Sequence, residues 1–230
     1  MSEDRSGPAT AWSNRLRAGV LGANDGIVST AALAVGIAAA ATTRAPVVLT
    51  VTAGVIAGAS SMAVGEYVSV SSARDAQRAD LDRERAEHRR SPQEELAELA
   101  ALFEARGASP EVARAVAADL TEADALGAHA REELGITEQL QARPTEAAVT
   151  SAVAFLTGAA IPLLAVLFAP IGAMVATIAA ATLTALVLLG LLSAGIAGAD
   201  RRRAVLRIAI GASLAMGVTL VGSHLLGIEL

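Results

Sequence analysis

The chain has 230 residues, 53% of them hydrophobic, and a formal net charge of −5 at pH 7. It contains no cysteine, which excludes disulfides and thiolate metal sites and leaves oxygen, imidazole and thioether groups as metal ligands. The apolar residues are concentrated in long blocks, a distribution typical of a membrane protein.

Five of these blocks are long enough to cross a bilayer, since about 20 apolar residues cover roughly 30 Å of hydrocarbon. They are residues 18–41, 46–71, 145–168, 172–196 and 204–227. The first block is too long, and has the wrong flanks, for a cleaved signal peptide, so we expect it to remain in the mature chain. The sequence therefore predicts an all-α, polytopic membrane protein with five transmembrane helices.

Two carboxylates lie inside the first two blocks, Asp25 in one and Glu66 in the other. An acid near the centre of a membrane helix costs about 2.5 to 3.5 kcal/mol, which favours a functional role with cations. In antiparallel helices that rise 1.5 Å per residue, both acids would lie roughly 10 Å below the same membrane face. Met62 shares the helix face of Glu66, and oxygens with a thioether suit Fe²⁺ better than Mg²⁺. The alternative is a buried polar pair that only fixes packing.

Two pairs of glycines in the same blocks are four residues apart, Gly22 with Gly26 and Gly54 with Gly58. Small residues at this spacing allow membrane helices to pack closely. Such pairs also arise by chance in a chain this rich in glycine and alanine. A dedicated packing role and a chance occurrence both remain open at this point.

An acidic segment separates the second and third blocks, with 17 of the 23 acidic residues and 10 of the 18 basic residues between Ala73 and Glu146. It reads as a three-helix domain inserted into the membrane domain. The second membrane helix continues through residues 74–90. Ser91 and Pro92 begin the next helix, where Glu94 completes a capping box with Ser91. Ser109 and Pro110 begin the last helix in a similar way. We expect membrane segments at 1–72 and 147–230 and a helical metal-binding domain at 73–146.

Acidic residues on these helices form pairs three or four positions apart, so that each pair occupies one helix face. Three such faces could build a carboxylate cage for metal, as in helical bundles that bind iron or manganese. The other interpretation is a solvated surface with acids paired to arginines such as Arg83 and Arg131. The candidate ligands are Glu84, Glu87, Glu95, Glu98, His129 and Glu133.

The distribution of arginine predicts the orientation, because positively charged loops stay on the cytoplasmic side. Arginines flank the ends expected to be cytoplasmic, whereas the opposite connections carry only Arg44. The N-terminus and residues 73–146 would then be cytoplasmic, and the C-terminus, at Glu229 and Leu230, outside. High alanine and arginine usage suggests a prokaryote, for which the membrane would be the plasma (inner) membrane.

Three segments of the chain together resemble the vacuolar iron transporter family. They are GANDGIVSTAALAVGIAAA around Asp25, SSMAVGEYVSVSSARD around Met62 and Glu66, and DALGAHAREELGI from Asp124 to Ile136. The resemblance covers essentially the whole chain. It implies a homodimeric exporter of Fe²⁺, and often Mn²⁺, from the cytoplasm in exchange for protons.

The resemblance also assigns roles to residues. It implies a transport path with Asp25, Met62 and the nearby Glu66, and cytoplasmic metal binding by the six candidate ligands above. Plant members carry methionine where this chain has His129, and Glu132 is an alternative ligand there. The expected partners are a second copy of the chain, the lipid bilayer, divalent metal ions and protons, with no nucleic acid and no permanently bound cofactor.

Three other functions remain as alternatives to an exchanger. A passive divalent-cation channel would need the same acids in the membrane. A ferroxidase-type enzyme could use the carboxylate and histidine cage, although the duplicated Glu-x-x-His signature of such centres is missing. A membrane-anchored metal sensor would carry no flux. We rank them in this order and expect the protein not to be an enzyme.

Overall fold

A computed structural model describes residues 7–137 and 142–225, and within them it contains only helices, turns and connecting loops. The all-α prediction is confirmed. The side of the membrane was also predicted for the C-terminus, but Glu229 and Leu230 are not among the described residues. The seven helices are α1 Gly7–Ala40, α2 Arg44–Arg90, α3 Pro92–Ala105, α4 Pro110–Glu132, α5 Pro144–Phe168, α6 Met174–Ala197 and α7 Arg201–Leu225, and a 3₁₀ turn, Ile171–Ala173, precedes α6.

Five of the described helical segments are long and apolar enough to cross a membrane, as predicted. Helix α2 is 47 residues long because no glycine or proline interrupts it after Gly65. Its apolar part is the predicted spanning block at residues 46–71, whereas the part from Arg74 onward is charged. The segments are Gly19–Ala40, Arg44–Arg90, Pro144–Phe168, Ile171–Ile196 and Arg201–Gly222.

The chain divides into two compact units. The membrane unit comprises Trp12–Tyr67 and Thr145–Leu230, and the second, acidic unit contains Val68–Pro144. The domain limits predicted from the sequence, at 72/73 and 146/147, stay predictions.

Small and β-branched side chains form the core of the membrane unit, where α1, α2, α5 and α6 all contribute. Val47, Val51, Val166 and Ile178 are almost completely buried. Many larger apolar side chains of the same helices, such as Leu49, are instead exposed at the surface. This distribution suits a bilayer, in which outward-facing apolar side chains meet lipid.

Helices α1 and α5 approach each other through glycines. A Cβ atom on Gly26 would overlap the carbonyl oxygen of Phe155, and one on Gly158 would overlap that of Ala23. Of the two possibilities left open for Gly22 and Gly26, the structure favours close packing, and their neighbour is α5. No residue with a side chain fits at Gly26 unless the backbone of α5 moves.

Arg44, in the first turn of α2, lies at the end of α5. Its guanidinium donates hydrogen bonds to the carbonyl oxygens of Leu167, at 2.8 Å, and of Ala169. The last carbonyl groups of a helix lack intrahelical partners, and a cation near them is favourable. Arg44 thus connects the start of α2 to the end of α5 by hydrogen bonds.

The acidic unit has its own small core, in which α3 packs against α4 through Leu99, Ala100, Ala117 and Ala128. Both helices begin where the sequence predicts, each with proline in the first turn. The Ser109 hydroxyl accepts a hydrogen bond from the Val112 amide at 3.4 Å. The Ser91 side chain makes no capping hydrogen bond, so the predicted capping box at α3 is wrong in this respect.

Helix α4 is broken at Asp124, a feature that the sequence analysis missed. Asp124 has φ −165° and ψ 85°, and its Oδ1 accepts a hydrogen bond from the Gly127 amide at 3.0 Å. Aspartate side chains compete in this way for the backbone and start a new helical segment. The second segment carries His129 and ends before Gly135, whose φ of +65° suits glycine.

Candidate metal sites

A cavity of about 230 Å³ opens inside the membrane unit between α1, α2 and α5. Its polar lining comes from an acid and hydroxyl groups, and its soft donor is the thioether of Met62. The space exists partly because glycines face it, since a Cβ atom on Gly58 would overlap the Phe155 ring. The lining residues are Asp25, Ser29, Thr30, Leu33, Gly54, Gly58, Ser61, Met62 and Phe155.

The structure brings Asp25 and Met62 together at this cavity, but Glu66 is not among the lining residues. Asp25 is exposed on the single chain, Met62 is half-buried, and Glu66, one turn further along α2, is also half-buried. Among the side chains that the structure describes, which include neither Arg15 nor Arg17, Asp25 forms no ion pair with an arginine.

A second candidate site lies in the acidic unit, where four side chains from α2, α3 and α4 converge. We call Glu84, His88, Glu95 and His129 the four-residue group. One potential ligand atom from each residue lies within 4.8 Å of the others. His129 is completely buried, and Glu84 and Glu95 are 3% and 7% exposed. Carboxylates and imidazoles at this density, shielded from water, are typical of a divalent metal site.

His129 is oriented by a carboxylate one helical turn away. Its Nδ1 lies 2.9 Å from Oε2 of Glu133, with hydrogen-bond geometry. If Nδ1 carries the proton and donates it to Glu133, the lone pair of Nε2 is free. Histidines that bind metals almost always donate their other ring nitrogen in this way.

Three buried polar atoms of the four-residue group have no hydrogen-bond partner among the described residues. They are Oε1 of Glu84, Nε2 of His88 and Nε2 of His129. Oε1 of Glu84 does lie 2.9 Å from Nδ1 of His129 and 3.4 Å from Nε2 of His88, but neither contact has hydrogen-bond geometry. A buried polar atom without a partner costs about 1 to 3 kcal/mol, and native proteins rarely leave several together. A cation bound within the four-residue group would provide a partner for such atoms.

The Glu84 carboxylate is strongly perturbed by these surroundings. Burial is the main cause that raises its pKa to about 7, the negative charges of Glu133, Glu95 and Glu87 contribute to the rise, and His129 acts in the opposite direction. The charged form is therefore unfavourable near neutral pH until a cation compensates it. Binding of a divalent metal would displace the proton and supply that compensation.

Comparison with known proteins identifies the family. Residues 16–223 match the profile of the VIT family. The chain belongs to the VIT family. It is 43% identical over 210 residues to a vacuolar iron transporter of Acanthamoeba castellanii, and the alignment covers 89% of this chain and 76% of that protein.

Plant members of the VIT family are also similar to this chain. Vacuolar iron transporter homolog 1 of Oryza sativa subsp. japonica is 40% identical over 205 residues, covering 89% of this chain and 70% of the relative. Vacuolar iron transporter homolog 4 of Arabidopsis thaliana is 36% identical over 215 residues, covering 91% and 85%. The resemblance found in the three motifs is confirmed, and the VIT family comprises transporters rather than enzymes.

The six ligands predicted for the acidic unit of this VIT-family chain occupy different positions. Glu84, Glu95 and His129 lie in the four-residue group, and Glu133 contacts it through the His129 ring. Glu87 is half-buried and close enough to act on the Glu84 charge, whereas Glu98 is exposed. Neither belongs to the four-residue group.

His88 is the residue that the sequence analysis missed. It follows Glu84 by four positions, so the spacing that paired other candidates would also have placed it on the face of Glu84. Glu132, the alternative ligand, is instead bound to the guanidinium of Arg106, which also donates to its carbonyl oxygen at 2.9 Å. Glu132 is thereby engaged away from the four-residue group.

Proposed function

We propose that this protein exports Fe²⁺, and also Mn²⁺, from the cytoplasm of a prokaryote across its plasma (inner) membrane in exchange for protons. The observation that carries the proposal is the cavity in the membrane unit, where Asp25 and Met62 meet between apolar helices. Relatives named vacuolar iron transporters support iron as the cargo.

The acidic unit would capture metal, and the membrane unit would move it. Buried carboxylates and imidazoles of the four-residue group concentrate the cation on the cytoplasmic side. The ion then occupies the cavity at Asp25 and Met62, with Glu66 one turn further along α2. A carboxylate holds a metal ion or a proton, so competition for Asp25 and Glu66 provides a means of exchange.

A homodimer is part of this proposal because Asp25 is exposed on the single chain. A carboxylate facing lipid at the centre of a helix would cost about 2.5 to 3.5 kcal/mol. A second copy of the chain covering this face would turn the open cavity into an enclosed, water-accessible path. Glycine and serine line the same face at Gly54, Gly58 and Ser61, and such small residues favour helix contacts in membranes.

The orientation follows the positive-inside rule. Arg201, Arg202 and Arg203 lie exposed at the start of α7, in the connection from α6. With this connection in the cytoplasm, five crossings put the acidic unit on the same side, where it meets cytoplasmic metal. Arg44 faces the opposite side, where its charge is engaged by the end of α5.

The experiment is metal uptake into proteoliposomes that contain the full chain, with and without an imposed pH gradient. We expect the wild type to move Fe²⁺ and Mn²⁺ against a metal gradient when protons flow the other way, and Asp25→Asn to abolish this flux. Asp200→Asn is the matched control, because Asp200 caps the Arg202 amide at 2.9 Å and asparagine caps helices equally well.

The outcomes separate the alternatives. Flux that follows only the metal gradient, whatever the pH gradient, would identify a channel. Metal binding without any flux would identify a sensor. Normal flux in Asp25→Asn would contradict the assignment of the membrane site.

A further inference from the structure

We infer that His88 is a metal ligand and makes the four-residue group a site with two imidazoles and two carboxylates. Such a site binds one borderline divalent ion of the class of Zn²⁺, Co²⁺ and Fe²⁺ and discriminates against Mg²⁺ and Ca²⁺. The inference rests on the proposed capture of metal by the acidic unit. It adds the residue and the chemistry that decide which metal is captured.

The position of the His88 ring is the first argument. Its Nε2 lies 3.4 Å from Oε1 of Glu84, and its side chain is only 15% exposed. The ring meets that of His129 edge to face, with centroids 4.6 Å apart and planes at 89°. Both imidazoles therefore reach the same small volume beside Glu84.

The second argument is the missing hydrogen bonds. A histidine buried for structural reasons usually has partners for its ring nitrogens, because an unpaired buried polar atom costs about 1 to 3 kcal/mol. The Nε2 atoms of His88 and His129 both lack a hydrogen-bond partner among the described residues, as does Oε1 of Glu84, whose contacts with the two rings do not have hydrogen-bond geometry. The lone pairs of two neutral imidazoles and the charge of a carboxylate complement a metal ion.

The donor set then predicts the selectivity. Sites built from carboxylate, carbonyl and water favour Mg²⁺, Ca²⁺ and Mn²⁺, whereas imidazole favours Zn²⁺, Cu²⁺, Fe²⁺ and Ni²⁺. Two of the four donors here are imidazoles, so affinity should rise from Mn²⁺ through Fe²⁺ and Co²⁺. Replacing His88 by a side chain without a good nitrogen donor should lower the affinity for these later metals more than that for Mn²⁺.

The test is to count imidazole ligands by X-ray absorption on the full-length protein loaded with one equivalent of Zn²⁺. We expect two imidazoles in the wild type, one in His88→Gln, and none in the double variant His88→Gln/His129→Gln. The double variant excludes a contribution from the chain's third histidine, His224. Arg89→Gln, an exposed neighbour of His88, is the control and should keep both.

Competition titrations provide the second measurement. His88→Gln should weaken Zn²⁺ binding by at least about tenfold, the smallest effect expected even for an outer-shell partner of a metal. Mn²⁺ binding should change less, and its retention would show that the variant is folded.

Two results would overturn the inference. One imidazole in the wild type, or unchanged zinc affinity in His88→Gln, would show that His88 is not a metal ligand. Metal capture by the carboxylates and His129 would be unaffected by that result. Absence of metal from the acidic unit of the wild type would overturn the capture step itself, and the vesicle flux would still report separately on the membrane site.

Discussion

Oε1 of Glu84 lies 2.9 Å from Nδ1 of His129, and both side chains are almost completely buried. The contact joins α2 to the second segment of α4, residues far apart in the sequence. It places a carboxylate of raised pKa against an imidazole that is already hydrogen-bonded to Glu133. The acidic unit therefore keeps an unfavourable charge where a metal ion would neutralise it.

Glu84→Gln should separate the stability of the acidic unit from its metal binding. Without metal, the variant should be more stable than the wild type at pH 8, because it removes a buried charge that neighbouring acids repel. Metal at 100 times Kd stabilises a protein by about 2.7 kcal/mol, most of which the variant should lose. Hydrogen exchange of residues 84–133 in the full-length protein, with and without Zn²⁺, measures both effects.

Glu104→Gln is the control, because it removes the same charge from an exposed position on α3. An equal metal-dependent protection in Glu84→Gln and Glu104→Gln would contradict the role of Glu84.

The pH dependence follows from the raised pKa of Glu84, about 7 against the ordinary 4.5. Between these values the folded state holds more protons than the unfolded state, so the metal-free unit should lose stability as the pH rises from 4.5 to 7. Metal affinity should change in the opposite sense and fall as the pH drops below 7, because protons compete for the carboxylate. Zinc titrations and hydrogen exchange between pH 5 and 8 test both trends, and Glu84→Gln should flatten them.

The sequence was sufficient for the parts of the fold that depend on local patterns. Hydrophobic blocks predicted the five membrane helices, and Ser109 with Pro110 predicted the start of α4, because length, apolarity and capping act between near neighbours. The break at Asp124 was missed because an aspartate inside a helical pattern usually points to solvent. Only the hydrogen bond that Asp124 accepts from the Gly127 amide identifies it as the start of a new helical segment.

The candidate site was predictable by residue type but not by geometry. Acids at helical spacing marked Glu84 and Glu95, yet the same rule also marked Glu98, which is exposed. Spacing defines a helix face, whereas tertiary packing decides which face is buried. His88 is the clearest example, since it shares the face of Glu84 but becomes a candidate ligand only because packing brings it beside His129 on another helix.

Met62→Leu should lower the transport of Fe²⁺ several-fold and that of Mn²⁺ less. Leucine conserves volume but lacks the thioether, the soft donor that lines the cavity, and softer ligands favour the later metals. Competition between the two metals in the proteoliposome assay measures the effect. Met216→Leu, in the core of the membrane unit, is the control, and an equal loss for both metals and both variants would assign Met62 to packing alone.

Gly26→Ala should destabilise the membrane unit, because the added methyl group would overlap the carbonyl oxygen of Phe155 in α5. Overpacking of this kind costs about 1 to 3 kcal/mol, more than the roughly 1 kcal/mol that alanine gains over glycine inside a helix. Gly19→Ala in the same helix is the matched control, since the new Cβ would have no described atom within 4 Å apart from the backbone of its own helix. Thermal unfolding of the full-length protein in detergent should show a lower melting temperature for Gly26→Ala and an unchanged or higher one for Gly19→Ala. Equal melting temperatures would mean that α1 and α5 separate easily, and the contact that shapes the cavity wall at Phe155 would then be adaptable rather than fixed.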